Sequence, residues 1–318
     1  MSEPREQEME RSPNQRAWAR FRRNRRAVAA AWFLGVLLLA VCLWPAVLAV
    51  GGGHFAQVHN PDRVSDAQFS PPDGAHWFGT DLHGRDLFSR VLYGAQISLL
   101  VGLVGTGVSL VIGVLWGAVA GYAGGRTDGV MMRIVDVLYS LPSIIFVIVL
   151  ITTVGEMVKT TPTVQHSPAL AGALRLGLLF AGLGAVSWLT MARMVRGQVL
   201  SLRTRPFVEA SRVLGAKAGW ILRRHIIPNT SGVVITYLAL TIPEIILYES
   251  FLSYLGLGVQ PPMASWGTLI SEGVGQINPV RIYWWLILFP AGGLVSTLLA
   301  LNFLADGLRD AFDVKGRT

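Results

Sequence analysis

Hydrophobicity along the chain rises in long blocks divided by polar stretches rich in Arg, Asp, Pro or Gly. A helix needs about 20 mostly apolar residues to cross a hydrocarbon layer roughly 30 Å thick. Six blocks have that character, at about 27–50, 95–122, 134–154, 169–190, 231–255 and 283–304. They predict an all-α membrane protein with six transmembrane helices. Trp32 and Trp44 stand toward the ends of the first block, where indole rings favour the interface, and Pro45 is expected to kink it. Gly113, Gly117, Gly121 and Gly125 recur at every fourth position along the second, a stripe against which another helix can approach closely. Arg133 and Asp136, at the edge of the third, are spaced to pair on one face. Arg175 near the outer end of the fourth can snorkel to water. The fifth is interrupted by Pro243 and carries Glu244 and Glu249.

Composition agrees with this pattern: 52% of residues are hydrophobic and 14% charged, with a mean hydropathy of +0.49. Soluble domains carry nearer a quarter charged residues. The single cysteine, Cys42, falls inside the first apolar block, so no disulfide framework or cysteine-based metal site is expected. That block follows a long polar stretch and is too long for a cleavable signal.

A net charge of +8 raises the question of nucleic acid, and the distribution of charge answers it. Eight Lys and Arg lie in residues 1–26, two in 123–133, eight in 191–230 and three in 305–318. The other six are Arg63, Arg85, Arg90, Lys159, Arg175 and Arg281, on or near the opposite side. Lys and Arg accumulate in cytoplasmic segments. The asymmetry therefore puts both termini and 191–230 in the cytoplasm, and 51–93, 155–168 and 256–282 outside. Membrane lipid, not nucleic acid, is then the partner of the basic half of the first tail. Arg16, Arg20, Arg22, Arg23, Arg25 and Arg26 adjoin the anionic headgroups, and the acidic half with Glu3, Glu6, Glu8 and Glu10 is expected to be disordered.

The best-structured polar stretch is 206–229, PFVEASRVLGAKAGWILRRHIIPN. Residues 207–214 favour helix, Pro206 suits a first turn, and Glu209 lies near the positive end of the helix dipole. Gly215 can end that helix through a positive φ. A second helical stretch, 217–226, is expected to stop at Pro228. Such a helix–Gly–helix unit is a rigid handle that turns Val208, Val213, Leu214, Trp220 and Leu222 toward a partner or the membrane. An interfacial amphipathic hairpin without a partner is the alternative.

The run Glu209-Ala210-Ser211, three residues, Gly215, then Ile227-Pro228 resembles the EAA loop of ABC-importer permease subunits. That pattern is Glu-Ala-Ala, three residues, Gly, nine residues, Ile, one residue, Leu-Pro. Ser211, His225 and Ile227 depart from it, and the His225 variant is similar to the peptide and nickel branch. Three further stretches resemble that branch. One is His76-Trp77-Phe78-Gly79-Thr80-Asp81 with Gly84-Arg85-Asp86 and Ser89-Arg90. Another is Ser250-Phe251-Leu252-Ser253-Tyr254-Leu255-Gly256-Leu257-Gly258 with Pro261, Pro262 and Trp266-Gly267. The last is Asp306-Gly307-Leu308-Arg309-Asp310. The wording at Val186-Ser187-Trp188, Arg193, Val195-Arg196-Gly197-Gln198 and Glu249-Ser250-Phe251 is most similar to oligopeptide permease C subunits, with dipeptide permeases next.

The resemblance runs from about Arg16 to the end and implies a type I importer permease of the bacterial inner membrane. It divides the chain into a tail (1–26), a first span with its external segment (27–93), a permease domain (94–305) and a second tail (306–318). The implied partners are a second permease subunit, two ABC ATPase subunits and an extracytoplasmic peptide-binding protein. Glu209 would meet a basic residue of an ATPase, Ala210 and Ser211 would allow close approach, and Gly215 would make the bend. Arg212 and Pro228 complete the coupling loop. No G-x-x-x-x-G-K-[ST] stretch occurs, so no cofactor is expected on this chain, with ATP and Mg²⁺ on the partner ATPases.

Glu249 and Glu244 are the candidates for the translocation path, because a buried carboxylate in a span costs about 3 kcal/mol. They are roughly 140° apart on an ideal helix, so both face one narrow passage only if Pro243 bends the span. Glu249 belongs to the Glu-Ser-Phe pattern while Glu244 has no motif behind it; contact with a peptide's N-terminal amine is one reading, and a structural hydrogen bond or salt bridge to another span is the other. His54, His59, His76, His83, His166 and His225 are scattered without metal-ligand spacing, and no nucleophile elbow accompanies the Ser, His and Asp of 73–89. An ion-driven carrier would show inverted repeats and paired broken helices, where only the Pro243 break is read. A scaffold role leaves the docking loop unexplained.

Overall fold

The computed structural model describes residues 13–159, 168–261 and 263–312. Most of the expected 155–168 loop, Pro262 and the side chain of Arg175 lie outside the described residues. Those described are helical, apart from turns and one isolated antiparallel bridge between Thr80 and Asp86. Helix α1 (Pro13–Arg23) is joined at Asn24 to α2 (Arg25–Gly51), whose first turn is capped by the Asn24 side chain accepting from Ala27 N. The helix continues through Pro45. A short α3 (Gly53–Val58) and an irregular stretch precede α4 (Leu87–Ala123), capped by Asp86. At 37 residues, α4 is about 55 Å long and outruns the hydrocarbon layer, beginning well before residue 95.

The third apolar block is not one straight span. Helix α5 (Gly125–Tyr139) and α6 (Ser143–Lys159) are bent by 84° from each other, a broken span or re-entrant pair. Pro142 stands at the break and disfavours helix for Leu141 before it. Five helices are long and apolar enough to cross a membrane, and the bent pair makes a sixth. Helix α7 (Pro168–Leu202) carries the fourth block on past its expected end at 190, through Arg193 and Arg196, with Arg203 and Arg205 in the turn that follows. Next come α8 (Pro206–Val213), α9 (Ala218–Ile221), a π-helical turn (Leu222–Ile226) and α10 (Ile227–Asn229). These lead into α11 (Ser231–Tyr254), the short α12 (Trp266–Val274) and finally α13 (Trp285–Phe312).

The glycine stripe explains the closest pair of helices. A Cβ on Gly117 would sit 2.4 Å from the Ala192 carbonyl oxygen; one on Gly113, 2.9 Å from that of Trp188; one on Gly121, 2.9 Å from that of Arg196. Helices α4 and α7 therefore touch backbone to backbone, the arrangement that small residues permit where lipid offers no hydrophobic drive. Gly125 does not continue the stripe: it begins α5, and a Cβ there would meet nothing within 4 Å.

Candidate functional site

The 206–229 handle closes one end of the bundle. Gly232 at the start of α11 faces Phe312 at the end of α13, and Arg203 after α7 donates to the Gly121 carbonyl at the end of α4. Helix α1 reaches the same end, where Arg20 donates to the Ala311 carbonyl.

Pro206 occupies the first turn of α8, and Glu209 follows in that turn. Gly215 has φ +81°, and its N–H donates to the Arg212 carbonyl while Ala216 N donates to that of Ser211. These two bonds end the helix on a left-handed residue. A Cβ on Gly215 would meet nothing within 4 Å, so the backbone angle and not crowding demands glycine. Ser211 Oγ donates back to the Phe207 carbonyl at 2.8 Å.

The apolar side chains of the handle divide. Val208 does not point outward as expected: it is fully buried against Val199, Ile221 and Ile226, and fastens α8 to the bundle. Val213 and Leu214, by contrast, are 87% and 86% exposed, and Trp220 is half exposed. Pro228 does not stop the second helix. The π-turn inserts one extra residue, so Pro228 falls in the first turn of α10, where a missing N–H is harmless and the helical path runs on toward α11.

Arginines tie the handle and α7 to α4 and α5. Arg212 lies over the Tyr122 ring, 5.0 Å from its centroid, and donates to its hydroxyl. Arg196 makes a two-pronged pair with Asp128 at 2.6 and 2.7 Å. Asp136 pairs with Arg193 at 2.8 Å and not with Arg133, because α7 brings the Arg193 guanidinium over Tyr139 beside it.

The two carboxylates of α11 part company, since the helix continues through Pro243 and keeps them on different faces. Glu249 is fully buried and accepts from Ser253 Oγ at 2.6 Å, Ser98 Oγ at 3.1 Å and Ser250 Oγ at 3.4 Å. Ser98 accepts in turn from Trp266 N, so the carboxylate knits α4, α11 and α12 together. Glu244 is exposed, with Tyr248 beside it one turn on.

Ion pairs that no spacing in the sequence announces hold the opposite end of α4. Arg90, buried, donates to Asp81 at 2.5 Å and with both Nη atoms to Glu272 at 2.7 and 3.1 Å. Arg85 Nε donates to the same Asp81 oxygen at 2.7 Å. Burial opposes ionisation of Asp81, but Arg90, Arg85 and the N–H groups of Arg85 and His83 outweigh it and hold the carboxyl below the ordinary aspartate range. Histidines that look scattered in sequence also meet here. His76 Nδ1 is 3.0 Å from Asp86 Oδ1, and His59 Nδ1 is 3.2 Å from Oδ2 of the same residue.

Residues 113–317 match the family model described as binding-protein-dependent transport system inner membrane component. Residues 12–72 match the N-terminal TM domain of oligopeptide transport permease C. The chain is 42% identical to the oligopeptide transport system permease protein OppC of Haemophilus influenzae, over 95% of this chain and 89% of the relative. Against OppC of Escherichia coli the identity is 44%, over 95% and 91%. Against the dipeptide transport system permease protein DppC of Bacillus subtilis it is 41%, over 96% and 87%. The chain thus belongs to the binding-protein-dependent transport system inner membrane component family, the permease subunits of ABC importers.

Proposed function

We propose that this permease imports oligopeptides, paired with a second permease subunit, two ABC ATPase subunits and an extracytoplasmic peptide-binding protein. In this reading both termini and the 206–229 handle are cytoplasmic, and ATP and Mg²⁺ bind on the ATPases, with no cofactor on this chain. The observation that carries it is the handle: a helix anchored by Val208, turned at Gly215, and leaving Val213 and Leu214 uncovered by the described residues. Large exposed side chains at the tip of a rigid element mark an interaction site. The concentration of Lys and Arg at that end supports the cytoplasmic assignment, and the oligopeptide permeases among the relatives support the substrate.

Coupling then follows from the connections. Closure of the ATPase pair displaces the cleft that holds α8. Val208 and the Arg212–Tyr122 contact pass that displacement to α7 and α4, and Arg196–Asp128 passes it to α5. Rigid-body rocking of this kind alternates access to a central site. Glu209, Ala210, Ser211, Gly215, Arg212 and Pro228 are assigned to this coupling.

Reconstitution with candidate ATPases, second permease and binding protein should give ATP-dependent uptake of tri- and longer peptides. Uptake driven by an ion gradient without ATP would refute the importer reading. Uptake confined to dipeptides favours the second reading, for which the dipeptide permease among the relatives speaks; uptake of Ni²⁺ alone would refute a peptide substrate. Gly215→Pro, whose ring cannot adopt φ +81°, should leave the subunit inserted and abolish uptake. Normal ATPase association and uptake in that variant would sink the docking role.

A further inference from the structure

Glu244 stands near the middle of α11, a helix long and apolar enough to span a membrane, yet its side chain is exposed. A carboxylate at that depth facing acyl chains is strongly disfavoured, so this face of α11 must meet protein or water. The surroundings of Glu244 form a built polar surface. Tyr237, Glu244 and Tyr248 are seven and four residues apart, within roughly 60° of one another around the helix. Tyr248 lies beside Glu244, and Tyr237 beside Thr190 of α7. Tyr139, half exposed, lies within electrostatic reach of both tyrosines, at the very end of α5 where the span breaks by 84°. Broken backbone at membrane depth is tolerated where it is buried in protein or lines a water-filled cavity. The other carboxylate of the span, Glu249, is fully occupied by serine hydroxyls and free for no ligand.

Resting on the peptide-importer reading above, we infer that Glu244, with Tyr248, Tyr237 and Tyr139, faces the translocation passage and takes the ammonium group of the transported peptide. The chemistry fits: every unblocked peptide carries one compact cation at its N-terminus, and a carboxylate flanked by phenols offers it acceptors. The tyrosine faces give it further attraction through their rings. Glu244 is thus the specificity-bearing group of the pair, and Glu249 a structural one.

The test uses the reconstituted transporter with Cys42 replaced by Ser and trialanine as the peptide. That parent must first show ATP-dependent uptake of trialanine; if it does not, the importer reading itself fails. With uptake established, Glu244→Cys should react with a trimethylammonioethyl methanethiosulfonate reagent, and saturating trialanine should slow the reaction. In the same assembly Glu244→Gln should raise the apparent KM for trialanine about tenfold, the order lost with one hydrogen bond to a charged group, and Glu244→Asp should restore part of it. A cysteine that reacts in the isolated chain but not in the assembly would place the face against the second permease and overturn the inference. Labelling that trialanine does not slow, or an unchanged KM in Glu244→Gln, would overturn it equally.

Discussion

At the end of the bundle where α4 begins, Arg90, Asp81, Glu272 and Arg85 bond one another, and Trp44, Phe55 and Trp77 surround a buried His59, with Phe88 edge-on to Trp44 and Trp77. Trp285 Nε1 donates across to the Thr80 carbonyl, fixing α13 to the same loop. Where α4 finishes, the chain is as carefully anchored by Val208 and Arg212, but it leaves Val213, Leu214 and half of Trp220 uncovered. Polar groups at the first end find partners within the chain, so changes there should act on stability. The apolar tip at the second end finds none among the described residues, so changes there should act on assembly and transport. The contrast separates residues that hold the permease together from residues that connect it to something else.

The largest stability effect is expected at Arg90. Removing it in Arg90→Ala leaves Asp81 and the half-exposed Glu272 with Arg85 alone between them, and breaking the buried Arg90–Asp81 pair costs about 3 kcal/mol. Denaturant unfolding in detergent measures it, and a loss near zero would show that the network is only a surface arrangement. The same site fixes a pH dependence. The folded-state pKa of Asp81 is depressed, so its contribution is fully present above the unfolded value of about 3.9 and is lost as pH falls below it. Asp81→Asn should flatten the acid limb of the stability profile; an unchanged limb would assign acid sensitivity elsewhere.

An intermediate effect belongs to the seam between the two ends. Gly117→Ala places a Cβ 2.4 Å from the Ala192 carbonyl oxygen, backbone that cannot rotate away, and overpacking of this sort costs about 1–3 kcal/mol. Gly129→Ala, where a Cβ meets nothing within 4 Å, is the control and should be neutral or slightly stabilising for a residue inside a helix. Equal losses in the two would mean the seam tolerates separation of α4 and α7.

What was legible in the sequence follows the range of the forces involved. Five of the six spans, the close approach at Gly113, Gly117 and Gly121 and the turn at Gly215 rest on local periodicity and backbone preference, and the structure has them; Gly125 and a stop at Pro228 it does not. The break at Pro142 was missed because the apolar run continues across it, and hydropathy averages over a single backbone bend. The outward reading of Val208 failed because a short helix has too few turns to show which stripe is buried. The pairing of Asp136 with Arg193 and of Arg90 with Glu272 is set by packing between helices far apart in the chain, and that of Asp86 with His59 and His76 by an irregular loop, to all of which spacing is blind. Glu249 and Glu244 look alike as letters. Only the four- and seven-residue offsets to Ser253 and Tyr237, together with what α4 and α7 bring alongside, separate the inner from the outer face.

The smallest stability effect and the clearest functional one should coincide at the handle's tip. Replacing Val213 and Leu214 together by Ser removes side chains that are 87% and 86% exposed, so unfolding free energy should move by no more than about 0.5 kcal/mol. Each side chain buried at an interface contributes about 1.5–3 kcal/mol, so the pair should weaken ATPase association by a factor of a hundred or more. Sedimentation or pull-down from detergent reads the association, with Val208→Ala as the counterpart: a buried residue whose loss should lower stability first. If the double variant unfolds more easily than Val208→Ala, or binds the ATPases as tightly as the parent, the division between a self-satisfied end and a docking end is wrong.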